Sequence, residues 1–508
     1  MKQLILSISF LFIVFLLNAQ VGTPFNKRVE KETKGELILI SNNILNKGNQ
    51  PNNPYNDVDK KAKQNDKLKM KYIDIDSDKS TFSSSSANLH LDNPNAKIIY
   101  AAIYWSATYK YEEGKLSGKK FVASDENRHP FDKIKIKFPN TDDYIFIEGK
   151  VIFDGHKTRS FDTNAPYAAY ADITSQVQSL SNPSGTYTVA NIRATQGVLS
   201  GGSSAGWTMV FIVEDFSKEF KYFTVYDGFV GVTNKPVNIL FTGFQALPQG
   251  KVSATISGSV LEGDLNMEGD QLLIKSDSTK KFIPLENNER KSRNFFNSSI
   301  TLKNQSTLNR VPNSKNTLGY DSFDIEIDNP ENSVISNNAK EVTLRLLSYI
   351  DRYFMFMTAF EIQVTEPELV AENLVVFEKE ITQVEEIVIK TEEIPLKEDI
   401  ATEINVENQI DLSKNTSIIP AKELTVAGVL PGYYIVANVF SIPSNATKFV
   451  ASLSAKNIEA DFFINPINNY RYVFLSRTNH YQEAVKLYFS YKNGIYKEDL
   501  WIMKVNID

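Results

Sequence analysis

The chain has 508 residues and no cysteine, with 42% hydrophobic and 23% charged residues, an ordinary globular composition. That length calls for two or three domains rather than one core. The missing thiols exclude a lipid-modified cysteine, a disulfide framework and a thiol nucleophile. The net charge of −6 is uneven: residues 366–428 hold fifteen acidic residues against five lysines, whereas residues 1–365 (42 basic, 40 acidic) and 429–508 (8 basic, 6 acidic) each come to +2.

At the start, Lys2 precedes fourteen apolar or small residues, Leu4–Leu17, and then Asn18-Ala19-Gln20. A charged n-region, a short apolar run and a small residue before the cut describe a secretory signal peptide over residues 1–19. A membrane anchor would need about 20 apolar residues, so an exported chain with no transmembrane segment after cleavage is expected. Residues 20–365 then read as mainly β. Strand-like runs recur at Leu37–Ile40, Ile98–Trp105, Ile134–Phe138, Tyr144–Phe153, Thr186–Ala194, Trp207–Val213, Tyr222–Tyr226, Lys251–Ser257, Leu272–Lys275, Glu341–Leu347 and Tyr353–Val364. Clusters of Gly, Asn, Asp, Pro and Ser separate them, which predicts β-sandwich domains. A break near Gln245–Gly250 suggests one domain over 20–245 and a second, or a continuation of the first, over 246–365.

Several constellations in this region invite chemistry. Gly202-Ser-Ser-Ala-Gly206 matches G-x-S-x-G, but a nucleophile elbow needs a strand before it and a helix after it. Here a strand follows, so a turn is expected and no catalytic residue is assigned. His90, His129, His156 and His480 show no paired-ligand spacing. No cofactor and no metal site is predicted. The nearest approach to a calcium set is Asp74, Asp76 and Asp78, which alternate on one strand face, yet an EF-hand would need Gly and Glu where Lys79 and Ser85 stand. Glu262, Asp264 and Asp270 form a second acidic cluster, expected as solvated turns. The lysine run Lys60, Lys61, Lys63, Lys67, Lys69 and Lys71 lacks aromatic partners, and no nucleic acid is expected.

Residues 366–428 are acidic and poor in aromatics, the composition of an extended linker. A coil of that length spans roughly 45 Å on average. Beyond it the pattern changes. Tyr433–Phe440 reads as a strand, and Ser444–Lys456 carries Ala446, Phe449, Val450 and Leu453 at helical offsets. Ile458–Ile464 and Tyr470–Leu475 are further strands. A second helix from about Asn479 to Tyr491 carries Ala484, Leu487, Tyr488 and Tyr491, and Leu500–Val505 closes the segment. Ser444 and Asn479 stand where N-caps are expected. Two βαβ units predict a C-terminal α+β domain over 429–508: a four-stranded sheet with two helices on one face. Alternation along the strand puts Ile435, Ala437 and Val439 under the helices, and Tyr434, Val436 and Asn438 on the open face with Arg471 and Val473. Tyr434 could stack on a sugar ring while Asn438 and Arg471 donate hydrogen bonds, with Phe463 and Trp501 extending the platform.

Gly432-Tyr-Tyr-Ile-Val-Ala-Asn-Val-Phe440, Asn445-Ala446…Leu453, Tyr470-Arg-Tyr-Val-Phe-Leu475 and Glu483-Ala484 together resemble the SPOR (sporulation-related repeat) domain, a periplasmic module that binds peptidoglycan. Arg471 matches an arginine that often opens the family's third strand. Val436 stands where the family usually has Gln, and Leu475 where it usually has Gly. In the β-rich part, Ala101-Ala-Ile-Tyr-Trp105, Tyr170-Ala-Asp-Ile-Thr174, Ala205-Gly-Trp-Thr-Met-Val-Phe211 with Glu214-Asp215, Tyr226-Asp-Gly-Phe229, Asn316-Thr-Leu-Gly-Tyr-Asp321 and Asp351-Arg-Tyr-Phe354 resemble β-rich domains of exported Bacteroidetes proteins associated with gliding adhesins. The two resemblances imply a non-enzymatic envelope protein of the gliding-motility and type IX secretion apparatus, in the periplasm or at the outer membrane. Its expected partners are peptidoglycan glycan strands and envelope or adhesin proteins. The alternative is an envelope assembly protein whose C-terminal sheet binds protein instead of glycan.

Overall fold

The computed structural model describes residues 21–366 and 421–506, apart from short breaks at 49, 59–64, 77, 157, 303–308, 427–428, 441–442, 457, 467–469, 494–495 and 497–499. The expected leader, most of the expected linker, and Lys60, Lys61 and Lys63 lie outside the described residues. The chain divides into two compact units, residues 1–381 and 382–508.

The first unit is mainly β, and each of the eleven predicted runs contains a strand. Tyr144–Phe153 is two strands, Ile145–Glu148 and Lys150–Asp154, which belong to different sheets. The organising element is a strand of 23 residues, Val21–Asn43. Its first part pairs antiparallel with Phe220–Val232, and Gly35–Asn43 pairs with Ala205–Glu214. At the crossover a Cβ on Gly35 would lie 1.9 Å from the Val213 carbonyl oxygen, so only glycine lets the backbones approach.

A ten-stranded sheet results, in the order Lys150–Asp154, Pro166–Asp172, Lys97–Thr108, Ala205–Glu214, Val21–Asn43, Phe220–Val232, Tyr353–Gln363, Ala254–Leu261, Tyr320–Glu326 and Ile300–Thr301. Strands from both sides of the predicted break at Gln245–Gly250 share this one sheet, because Phe220–Val232 and Ala254–Leu261 both pair with Tyr353–Gln363.

Side chains alternate across these strands, and each face is buried. Ile103, Trp105, Trp207, Met209 and Phe211 face one way, onto Ala87, Ile134, Ile136, Tyr187 and Val189 of a five-stranded sheet. In the other half, Tyr222, Ile256, Phe323, Met355 and Phe360 face Phe241, Leu272, Ile274 and Leu344 of a four-stranded sheet. Between the halves lies a third core, with Leu39, Tyr100, Tyr104 and Val210 against Phe223, Phe229, Leu261, Tyr320, Phe354 and Phe356. Among the described residues these sheets enclose three cores, and a further five-stranded sheet runs in the order Leu45–Lys47, Met70–Tyr72, Gln196–Gly197, Glu113–Ser117 and Lys120–Asp125.

The middle core is not purely apolar, and its polar groups are paired as burial requires. Thr208 Oγ1 lies 3.0 Å from Ser41 Oγ, 2.8 Å from Ser259 Oγ and 2.8 Å from the Tyr320 hydroxyl. Arg28 donates two hydrogen bonds to Asp227, at 2.7 and 2.9 Å, and Tyr104 donates a third at 3.1 Å. On the opposite face of strand Tyr320–Glu326, beside Phe295 and Phe323, Arg290 and Asp321 form an ion pair at 2.9 Å with both side chains 0% exposed. Arg290 also donates to Thr301 Oγ1 and to the carbonyls of Phe295, Ser299 and Ser322. Burial pulls the guanidinium below its usual range and pushes the carboxyl above its own; these bonds offset that cost.

In the second unit, Gly432–Phe440 is followed by a helix, Pro443–Ser454, then strands Asp461–Asn465 and Tyr470–Thr478, a helix, Tyr481–Asn493, and strand Trp501–Asn506. The sheet has five strands, not four. Ala421–Thr425 pairs in parallel with Trp501–Asn506, so the end of the expected linker belongs to the sheet. Tyr470–Thr478 lies between Gly432–Phe440 and Asp461–Asn465, antiparallel to both. Ala446, Leu453 and Ala484 pack on the same face, as the helical offsets predict, with Phe449, Val450, Leu487, Tyr488 and Tyr491 around them. The expected caps are displaced. Ser444 lies inside its helix, and Asn479 accepts a 2.7 Å hydrogen bond from Arg477. Thr478 stands before the helix, its hydroxyl donating to the Glu483 carboxylate and accepting from the His480 amide at 3.3 Å.

Replacing Asp321 by Ala strands the Arg290 charge in a dry core, and the first unit should lose about 3–5 kcal/mol of stability. Urea denaturation followed by tryptophan fluorescence checks this; a loss below about 1 kcal/mol would contradict the assigned burial.

Candidate functional site

The helix-free face of the C-terminal sheet carries the aromatic residues singled out from the sequence. Tyr434, Val436, Phe463, Met503 and Val505 form its buried cluster, with Val439, Tyr472, Phe474 and Trp501 partly buried around them. Tyr434 is 3% exposed and Phe463 8%. Their rings meet at 5.2 Å and 68°, Phe463 stacks on Tyr472 at 5.1 Å and 3°, and Tyr434 meets Phe474 edge-on at 4.9 Å. The Tyr434 hydroxyl donates to the Leu430 carbonyl at 2.6 Å, and burial raises its pKa although Arg477 works against the rise. Tyr434 and Phe463 thus spend their ring faces on each other and their neighbours, and neither offers a free face to a sugar.

The structure brings together only part of the expected set. The register shifts between Ile435, Val436 and Asn438, which is a β-bulge. Beyond it Val439, not Asn438, continues the cluster with Val436, and Asn438 is exposed with its side chain turned onto the Val439 amide at 2.8 Å. Val473 is wholly buried under the helices, so Arg471, two residues away on the same strand, shares the helix side. The face predicted for Val439, Asn438, Arg471 and Val473 is corrected accordingly. Tyr434, Phe463 and Trp501 do share the helix-free face. Tyr472 and Phe474 join them, and their alternation in Tyr470-Arg-Tyr-Val-Phe-Leu475 was the signal for it. Arg477 also approaches, its guanidinium 5.9 Å from the Tyr434 ring centre while it donates to the Pro431 carbonyl.

The remaining candidates resolve differently. Ser84 Oγ lies 2.9 Å from Asp74 Oδ1 and 3.1 Å from Asp76 Oδ1, Tyr144 donates to Asp76, and Asp78 accepts from the Ser80 amide at 2.7 Å. Burial pushes Asp74 up, whereas at Asp76 the bonds from Tyr144, the Asp78 amide and Ser84 outweigh burial and hold it down. These carboxylates face protein donors. Among the described residues no three His, Asp or Glu side chains converge as a metal set. Ser204 is buried in the turn before strand Ala205–Glu214, with no helix after it. Glu262 and Asp270 are buried, not the solvated turns expected.

No family model matches the chain, and no curated protein matches it. Among solved structures, the major capsid protein P2 from bacteriophage PM2 is similar at 8% identity over 56% of this chain and 99% of that one, with a TM-score of 0.17. PNGF-II in space group P21 is similar at 10% identity over 65% of this chain and 66% of that one, with a TM-score of 0.19. Neither likeness is close enough to carry an argument about this chain.

Phe463→Ala should cost the second unit about 3–5 kcal/mol, as core aromatic truncations do, while Asn438→Ala should stay within about 0.5 kcal/mol. Chemical denaturation of residues 421–508 measures both. Equal losses would mean that the bulge does not expose Asn438.

Proposed function

We propose that this chain is a non-enzymatic, exported cell-envelope protein that binds peptidoglycan through a C-terminal SPOR-like α+β domain and supports a gliding-motility, secretion or adhesin assembly through its β-sandwich body. It works in the periplasm or at the outer membrane. The observation that carries the reading is the C-terminal sheet itself: two helices cover one face and an aromatic set occupies the other, where Tyr472, Phe474 and Trp501 keep part of their surface. Aromatic edges beside a hydrogen-bonding arginine suit sugar rings and their hydroxyls. Tyr472 and Trp501 take the stacking role first expected of Tyr434, and Arg477 the donor role first expected of Arg471. The signal-peptide pattern and the resemblance to gliding-associated exported proteins support the compartment and process.

One observation favours the second reading, a protein partner. Tyr434, Val436, Phe463, Met503 and Val505 make the centre of this face apolar, and dry, aromatic-rich patches are typical of protein interfaces.

Cosedimentation with isolated sacculi separates the two. Residues 421–508, rather than a fragment starting at 429, keep strand Ala421–Thr425 in the sheet. Saturable pelleting that rises when an amidase strips the stem peptides, and falls at least about tenfold (a loss of roughly 1.4 kcal/mol) in Tyr472→Ala/Trp501→Ala, is the expected result. No pelleting with either preparation, together with a crosslinked envelope protein at Tyr472, would replace glycan by protein.

A further inference from the structure

Three short segments of the first unit close on one buried carboxyl. Glu262 directly follows strand Ala254–Leu261 and takes the left-handed conformation, φ +66°, which few residues other than glycine adopt. It is 8% exposed. Around it stand Asn65–Lys67, the turn Gly201–Ser204 and the turn Thr317–Gly319. A Cβ on Gly202 would lie 3.2 Å from Glu262 Oε2 and 3.0 Å from Asn65 Cβ. One on Gly319 would lie 2.9 Å from Asn65 Nδ2 and 3.1 Å from Ser204 Oγ. Both glycines are left-handed, at φ +93° and +92°, so the approach needs glycine twice. The Gly263 amide ties the centre to Gly319, donating to its carbonyl at 3.3 Å.

What this carboxyl lacks is a donor. Glu262 Oε1 is buried with no hydrogen-bond partner among the described residues. Its Oε2 faces Gly202, whose amide already donates to the Leu199 carbonyl at 3.0 Å. The charged groups that face Glu262 are mostly acids: Asp66 from the first segment, Asp264 from its own loop and Asp351 from the turn Ser348–Arg352. Asp264 itself lies against Asp351. Arg352 faces Glu262 as well, but it donates to the Ser160 carbonyl at 2.7 Å and lies over Phe354. Arg290, deeper in the same half, is held by Asp321.

A charge placed there has neither water nor donors, which is strongly unfavourable, and a buried acid keeps its proton instead. Burial first, then Asp264 and Asp351, push Glu262 well above the usual carboxylate range, with Arg352 opposing them.

We propose that Glu262 is a proton-held latch: as a neutral acid it lets the three segments close, and as a carboxylate it drives them apart. The neutral group packs against Gly202 as an amide would. The charged one must reach water, and Gly202 and Asn65 stand in its path. The turn it displaces leads directly into strand Ala205–Glu214, which pairs with Val21–Asn43, so the opening reaches the central sheet. The direction with pH follows from linkage. An unfolded glutamate titrates near about 4.3, and folded Glu262 holds its proton to higher pH. Its contribution to stability is whole below the unfolded value and is lost as pH rises towards the folded one. The junction is tight in acid and loosens in alkali.

Hydrogen exchange of the full chain, corrected for intrinsic amide rates, is followed at about pH 6 and about pH 9 in peptides containing Gly202 and Gly263. In the wild type their protection should fall at least about tenfold between the two. Glu262→Gln keeps the shape without the charge. It should hold protection within about twofold, and melt at least about 3 °C above the wild type at the higher pH only. Glu268→Gln, exposed on the same loop, should show the wild-type loss. Unchanged protection in the wild type overturns the proposal without any variant. So does an equal loss in Glu262→Gln, or its disappearance in Glu268→Gln.

Discussion

Everything in the first unit depends on one strand satisfying two edges. Val21–Asn43 hydrogen-bonds Phe220–Val232 along its first part and Ala205–Glu214 along its second. A strand edge left open would be a template for unwanted pairing; here both neighbours are supplied from within the unit. Because the two partners lie in different halves of the sheet, the strand folds those halves against each other. The face it shares between them must then be both apolar enough to exclude water and polar enough to match its own hydroxyls. The Thr208, Ser41, Ser259 and Tyr320 cluster meets the second condition, and Phe223, Phe229 and Phe354 meet the first.

The second half of that sheet holds two buried charge arrangements that contrast in how fully they are satisfied. Arg290 uses donors on Asp321, Thr301 and three carbonyls, which is how a buried ion pair avoids being a net cost. A few residues away, Glu262 and Asp270 have acceptor atoms with no donor. The same fold that closes one site completely leaves the other short of positive charge.

In the C-terminal sheet a single bulge redistributes the side chains that any binding account must use. Alternation is strict only while the ladder is regular, and an extra residue shifts every later side chain. Past Val436 the faces exchange, so Val439 joins the aromatic cluster while Asn438 leaves it. The aromatic face is consequently more apolar than strict alternation would make it.

The elements themselves were legible in the sequence because periodicity reports which face of each strand or helix is buried: Ile103, Trp105, Trp207 and Phe211 in the body, Ala446, Leu453 and Ala484 in the helices. The five-stranded C-terminal sheet was only partly legible, since Ala421–Thr425 carries the composition of the acidic segment before it and pairs with a strand some eighty residues later. The acidic loop was visible as a pattern but not as a buried one, because burial of Glu262 and Asp270 comes from turns far away in the chain. What the sequence alone determined is local: the mainly β character of the body and the helical offsets near its end, both consequences of backbone geometry acting on neighbouring residues. What only the tertiary structure decided is relational: the sharing of one sheet across Gln245–Gly250, the bulge that separates Asn438 and Arg471 from Tyr434, and the meeting of Asp264 with Asp351. Those depend on which distant backbones pair and pack, and the pairing free energy belongs to the contact rather than to either segment.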